Sequence, residues 1–261
     1  MRDLGKVIVA ALGAAILPTP AAATSLPAPS DELTARASSA WEDLAIVVVG
    51  VDAEQSSENL LNAMAGEFRK DADMVELDAA YPGLISATVE AIKPVLLAEA
   101  ARILPLYRND LMKLYSENLS ALEAREITTF LHSPEMKIFR SLIIEGRTFD
   151  ATARDLMKSD SISQAAMSND VRLAALQASL KMQGDDLSTV KSFFASPLGQ
   201  KFGALNSRKL AIDEKWANYV SADGEKEIEA VVLDTMIDHV GRTDKETARG
   251  MAKALNRQQK L

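Results

Sequence analysis

From Asp31 onward the apolar residues of this chain recur at helical steps. Leu33, Ala37, Trp41, Leu44 and Val48 are separated by four, four, three and four residues, which places them on one face of an α-helix. Helical spacing dominates the rest of the chain, and the apolar set is rich in Ala, Leu and Met, with aromatic residues only 5% of the total. Straight-chain side chains lose little rotamer freedom in a helix, whereas β-branched and aromatic ones favour strands. The reading is an all-α fold. Ile46-Val47-Val48-Val49 is the one run where a short strand competes, and no partner strand for it is visible elsewhere.

Two places break the helical pattern in the same way. FLHSPEMKIF runs from Phe130 to Phe139 and FFASPLGQKF from Phe193 to Phe202. Both have Phe three residues before the serine, then Ser-Pro, then Phe five residues after the proline. The residue before a proline disfavours the α region, so a helix stops there. Ser133 and Ser196 are then placed to cap a new helix whose first position is Pro134 or Pro197, where a missing N–H costs nothing. Each Ser-Pro therefore ends one helix and begins another in one step. The flanking phenylalanines Phe130, Phe139, Phe193, Phe194 and Phe202 are expected to clamp the two helices, with Gly199 at the tight point of the second copy.

The remaining elements follow from local signals. Gly50 fits the left-handed position past the first helix, with Val51 folding back, and Asp52 can cap a helix that runs to about Phe68. Lys70 to Gly83 reads as a polar connector ending in a Tyr-Pro-Gly turn. Leu84 to Asn118 is a long helical stretch that Pro94 and Pro105 should each kink or restart. Ser120 and Glu123 match a capping box, opening a helix with Ile127, Phe130 and Leu131 on one face. Ile162 to Met182 reads as a further helix. Asp185 or Asp186 opens the next, with Leu187, Val190, Phe193 and Phe194 apolar. Phe202, Leu205, Ile212, Trp216 and Tyr219 are expected as the buried stripe of the helix after that. Two tail helices, near residues 225–240 and 244–258, are separated by Gly241.

The N-terminus reads as an export address. Arg2 and Lys6 precede an apolar run from Val7 to Leu17, broken by Pro18 and Pro20, and Ala21 to Ala23 offers an Ala-x-Ala cleavage site. The run is too short to span a bilayer as a helix. An uncleaved N-terminal anchor is the alternative. The expectation is a signal peptide over 1–23, an extended leader over 24–30, and a periplasmic mature protein of about 235–240 residues. Of the chain's 261 residues none is cysteine, which removes disulfides, thiolate metal sites and Cys nucleophiles. The formal charge of −8 argues against general nucleic-acid binding.

The second corner carries a resemblance. Asp186, Phe193, Phe194, Ser196, Pro197, Leu198, Gly199, Gln200, Lys201 and Phe202 resemble the motif of a bacterial exported family catalogued as domain of unknown function 2059. Glu123, Glu126, Phe130, Ser133 and Pro134 look like a diverged copy, with Glu135-Met136-Lys137 in place of Leu-Gly-Gln. The resemblance implies an all-helical exported protein with no assigned activity. The expected architecture is two diverged helical-hairpin units joined by a long kinked helix, an N-terminal unit over 31–159 and a C-terminal unit over 160–261.

No constellation in the chain points to catalysis or to a metal. His132 and His239 are the only histidines and form no close pair. His132 sits at the first corner, where its ring is placed to bond a helix-end carbonyl. Asp71, Asp73, Glu76 and Asp78 alternate oxygens but lack the glycine and terminal glutamate of a calcium loop, and read as a solvated connector. Glu123 and Glu126 can be drawn as an acid–base pair, yet as first-turn acids they already complement a helix dipole. Lys245, Arg249, Lys253 and Arg257 recur every four residues as a basic stripe beside Ala248, Met251, Ala252 and Leu255. Such a helix suits an anionic membrane surface or an acidic partner, against the plainer reading of a solvated face. The expectation is a non-enzymatic envelope protein that engages another envelope protein, binds no nucleic acid, needs no cofactor and has no stable membrane insertion once the signal is removed. The alternative is a carrier of a hydrophobic small molecule or lipid, with Met64, Met74, Met112 and Met136 as an adaptable lining.

Overall fold

The computed structural model describes residues 32–49, 53–159, 161–182 and 184–258. In chain order the helices are α1 Glu32–Val49, α2 Ala53–Phe68, α3 Ala72–Ala80, α4 Leu84–Asn118, α5 Ala121–Leu131, α6 Pro134–Gly146 and α7 Asp150–Ser159. They continue as α8 Gln164–Lys181, α9 Gly184–Ala195, α10 Pro197–Ala204, α11 Asn206–Ala217, α12 Ala222–Gly241 and α13 Lys245–Gln258. The described residues contain no strand, so the all-α reading holds and Ile46 to Val49 lie in helix. The expected signal, the leader and the turn at Gly50, Val51 and Asp52 lie outside the described residues.

Helix α4 is the spine. Its 35 residues span about 50 Å at 1.5 Å per residue. Leu84, Ile85, Ile92 and Leu96 in its first half join Leu60, Met64 and Phe68 of α2, Phe149 and Leu156 around α7, and Ile228, Val232 and Met236 of α12 in one apolar core. Ile103, Leu111, Leu114 and Tyr115 in its second half join Leu44 of α1, Ile127 of α5, Met136 of α6, Val190 of α9 and Trp216 of α11 in another.

Pro94 and Pro105 do not restart this helix, which is continuous through both. Each proline removes one N–H and leaves the carbonyl four residues earlier without its helical partner. Both prolines are exposed, as are Glu90 and Ala101 whose carbonyls they free, so water can satisfy those groups.

Each core takes helices from both sides of residue 160. The division into a 31–159 unit and a 160–261 unit therefore does not separate two cores, because α4 runs through both and α12 returns to pack on its first half. Hairpin pairing is closer at the second corner, where α10 folds against α9. At the first, α5 lies mainly on α1 and α6 mainly on α8.

Buried polar side chains tie the layers. Glu99 of α4 is fully buried and accepts from Ser221 N at 2.6 Å, Ser221 Oγ at 2.9 Å and Arg102 Nη1 at 2.8 Å, which fixes the start of α12. A β-carbon on Gly224 would stand 2.6 Å from that carboxylate, so a larger residue there would have to push Glu99 off its Ser221 partners. Asp170 of α8 accepts from Ala151 N, Thr152 N and Thr152 Oγ1 at 3.0, 2.9 and 2.7 Å and caps α7 from across the fold.

Three local expectations are corrected. The polar connector contains helix α3, opened by Asp71 accepting from Met74 N at 3.0 Å. The helix after the second corner is two pieces, α10 and α11, meeting at the buried Leu205. Tyr219 is 42% exposed and lies beyond α11, so it is not part of a buried stripe; it rests edge-on against Trp216 at 5.2 Å.

Candidate functional site

The two Ser-Pro corners have nearly the same backbone. Ser133 sits at φ −60°, ψ 153° and Ser196 at φ −69°, ψ 158°, both extended, with Pro134 and Pro197 entering the next helix. Ser133 Oγ accepts from Met136 N at 3.2 Å, and Ser196 Oγ accepts from Gly199 N at 3.1 Å. The second corner is tighter. Ser196 Oγ also donates to Phe193 O at 2.6 Å, and Gln200 Nε2 donates to Ala195 O at 2.9 Å. A β-carbon on Gly199 would overlap the Phe193 carbonyl, so this close packing of α10 on α9 requires glycine. Met136 occupies the matching position in the first copy, where it fills the second core instead.

The structure brings the corners together. The rings of Phe130 and Phe193 stack with centroids 3.7 Å apart and planes within 8°. Phe194 stands edge-on to both, at 6.0 Å from Phe130 and 5.4 Å from Phe193. Phe139 and Phe202 are half-buried against the second core, and Phe202 lies 6.1 Å from the Tyr115 ring. The phenylalanines thus join two corners, in addition to clamping the helices within each. Lys201 Nζ bridges to Glu123 Oε1 at 2.6 Å beside this stack. Lys201 stands in the motif, but its partner is 78 residues away and no local signal announces it.

Glu123 completes the expected capping box, accepting from Ser120 N at 2.7 Å while Ser120 Oγ accepts from Glu123 N at 3.2 Å. Lys201, with the Ser120 groups, holds its carboxyl down to about 2. A carboxylate so held stays ionised near neutrality and does not serve as a proton donor there. Glu126 is exposed on the same helix. His132 is exposed too, and its backbone N–H, not its ring, closes α5 on Thr128 O at 3.1 Å. The ring that meets a carbonyl is that of His239, whose Nε2 lies 3.1 Å from Pro82 O.

The acidic cluster is distributed over helix ends. Asp71 caps α3, and Asp78 Oδ1 accepts from Ile85 N at 3.0 Å at the start of α4. Among the described residues no three His, Asp or Glu side chains gather as metal ligands do, and no helix is long and apolar enough to cross a membrane.

Helix α13 uses its apolar side internally. Ala248 is buried on α12 and Met251 packs against the first core. Lys245, Arg249 and Lys253 point outward, and none is ion-paired with a described residue. The side chain of Arg257 lies outside the described residues. An open groove of about 380 Å³ runs between α4 and α11. Leu114, Ala211 and Ile212 line it together with Asp110, Lys113, Glu117 and Arg208. Asp110 is held by Lys215 and Trp216 at 2.6 and 2.8 Å, and Arg208 by Asn118 and Glu117 at 2.9 and 3.1 Å.

Comparison of the chain with protein-family models, with curated proteins and with solved structures gave no match.

Proposed function

We propose that this chain is an exported helical protein of the cell envelope that works by contact with another protein, not by chemistry on a small molecule. In this reading its second corner marks kinship with the exported family it resembles. The corner residues serve the architecture, and the contact surface lies elsewhere.

The observation that carries the reading is the basic stripe of α13. Lys245, Arg249 and Lys253 stand exposed, with no ion pair to a described residue, on a protein whose formal charge is −8. Ala248 and Met251 of α13 already turn inward, onto α12 and the first core, and are not free to insert into a bilayer. A stripe of exposed cations suits an acidic protein surface, where complementary charge speeds encounter and sets register. The carrier reading gains less support. Met64 and Met74 fill the first core, Met136 and Met112 belong to the second, and the open groove is half charged.

A photo-crosslinking residue in place of Arg249, in the exporting cell, tests this. The expected result is an adduct with a second polypeptide that weakens with added salt and disappears when Lys245→Glu and Lys253→Glu are combined with it. No polypeptide adduct, or one indifferent to the charge reversal, overturns the reading.

A further inference from the structure

Helices α4 and α11 lie side by side in opposite directions. Lys215 of α11 bridges to Asp110 of α4 at 2.6 Å, and Arg208, two turns earlier on α11, bridges to Glu117, two turns later on α4, at 3.1 Å. The two ion pairs stand as rungs about 10 Å apart along α4. Between them lies the groove of about 380 Å³, with Leu114, Ala211 and Ile212 as its apolar floor. Lys113 lines it too, exposed and with no ion pair to a described residue. Towards the Asp110 end the apolar surface continues. Leu106, one turn before Asp110 on the same face of α4, is 46% exposed, and Tyr219, edge-on to Trp216, is 42% exposed.

Shape and charge together choose the occupant. A small-molecule site buries about 70–90% of its ligand. This groove has two helices as walls and is open to solvent, so it suits a rod that keeps its outer face in water, as a helix does when it lies in the cleft between two others. Asp110 accepts from Lys215 Nζ and Trp216 Nε1, and Arg208 donates to Glu117 and Asn118, so each rung is satisfied within the chain. That leaves Lys113 to set the sign of the groove. Its complement is an acid beside a large apolar side chain.

We propose that the α4–α11 groove takes an acidic amphipathic helix of another protein, with one large apolar side chain seated between the rungs on Leu114 and Ile212, and a carboxylate one turn away on Lys113. Residues three or four apart are neighbours on a helix face, so a single turn of the occupant presents both groups. The proposal rests on the reading that this protein acts by contact with another, and gives that contact a second surface apart from α13.

NMR of the isotope-labelled, purified protein tests it. The signal of Trp216 Nε1–H reports on the groove wall, and the chain has only two tryptophans. The probe is an alanine-based peptide of about 20 residues, long enough to be helical, with leucine and glutamate four apart on one face. The expected result is a saturable shift of the Trp216 signal with half-saturation below about 1 mM. Lys113→Glu should weaken binding at least tenfold, as should lysine in place of the peptide's glutamate. Ala211→Phe, at an exposed position on the floor, should fill the groove and abolish the shift. Lys245→Glu with Lys253→Glu should leave it unchanged, so this surface and that of α13 fail separately. No shift at millimolar peptide, equal binding of the lysine peptide, or binding indifferent to Lys113→Glu overturns the proposal. So does dodecanoate moving the signal at lower concentration than the peptide, which would make the occupant a small amphiphile, or a shift on dilution of the protein alone, which would make it a second copy of this chain.

Discussion

A β-carbon at Gly199 would fall within the carbonyl of Phe193, and both groups are backbone, so neither can swing aside. Gly199→Ala is expected to cost about 3 kcal/mol, the upper end of the usual range for overpacking. Gly203→Ala, four residues on with nothing within 4 Å, should cost nothing and gain up to about 1 kcal/mol from helix propensity. Thermal unfolding of the two variants checks the contrast. Glu123 gives a pH test at the same scale. Its folded pKa of about 2 is depressed from 4.5, so its contribution to stability is complete above about 4.5 and is lost as the pH falls towards 2. Glu123→Gln should therefore be less stable than the parent near neutrality, with the gap closing between pH 4.5 and 2 in acid titrations of unfolding. Equal stability at every pH would mean that the Lys201 bridge carries nothing.

At the level of elements, each corner rests on one serine and one proline. Ser133→Ala and Ser196→Ala should each lower stability by about 1 kcal/mol through loss of a cap. Pro134→Ala and Pro197→Ala should each lower it by about 0.4–1 kcal/mol, because alanine restores freedom to the unfolded chain. Chemical denaturation of the four variants measures this, and unchanged stability and shape in both proline variants would remove the basis for the corners. These corners were legible in the sequence because capping and proline sterics are local. The capping box at Ser120 and the tail helices around Gly241 were legible for the same reason. Helix α3 was not, because three of its nine residues are acidic and only Met74 among them is buried. The end of the stripe at Tyr219 was missed because spacing alone does not show that α11 has stopped. The exposure of Leu173, Leu176 and Leu180 on α8 was not legible either; Met167 is buried as a large apolar residue should be, but further along the helix the close approach of Gly146 of α6 gives the inner position to Ala174.

On the scale of the whole molecule, two apolar cores share one helix. Ile92 and Leu111 are both fully buried on α4, one in each core. Ile92→Ala and Leu111→Ala should each cost about 2–5 kcal/mol and lower one common unfolding transition. Calorimetry showing two transitions, each moved by only one of the variants, would contradict a shared spine. The meeting of Phe130 with Phe193 could not be read from the sequence, since nothing local joins residues 63 apart. Nor could the interleaving of helices from both halves, which depends on α12 returning to α4. Both cores are filled by the chain's own side chains, which in the proposed reading leaves the surface for function. Native mass spectrometry of the gently purified protein tests this most directly. The expected masses are built from polypeptide alone, as the single chain or as a complex of polypeptides. A recurrent added mass of lipid size on the single chain would contradict it and make the carrier reading the better one.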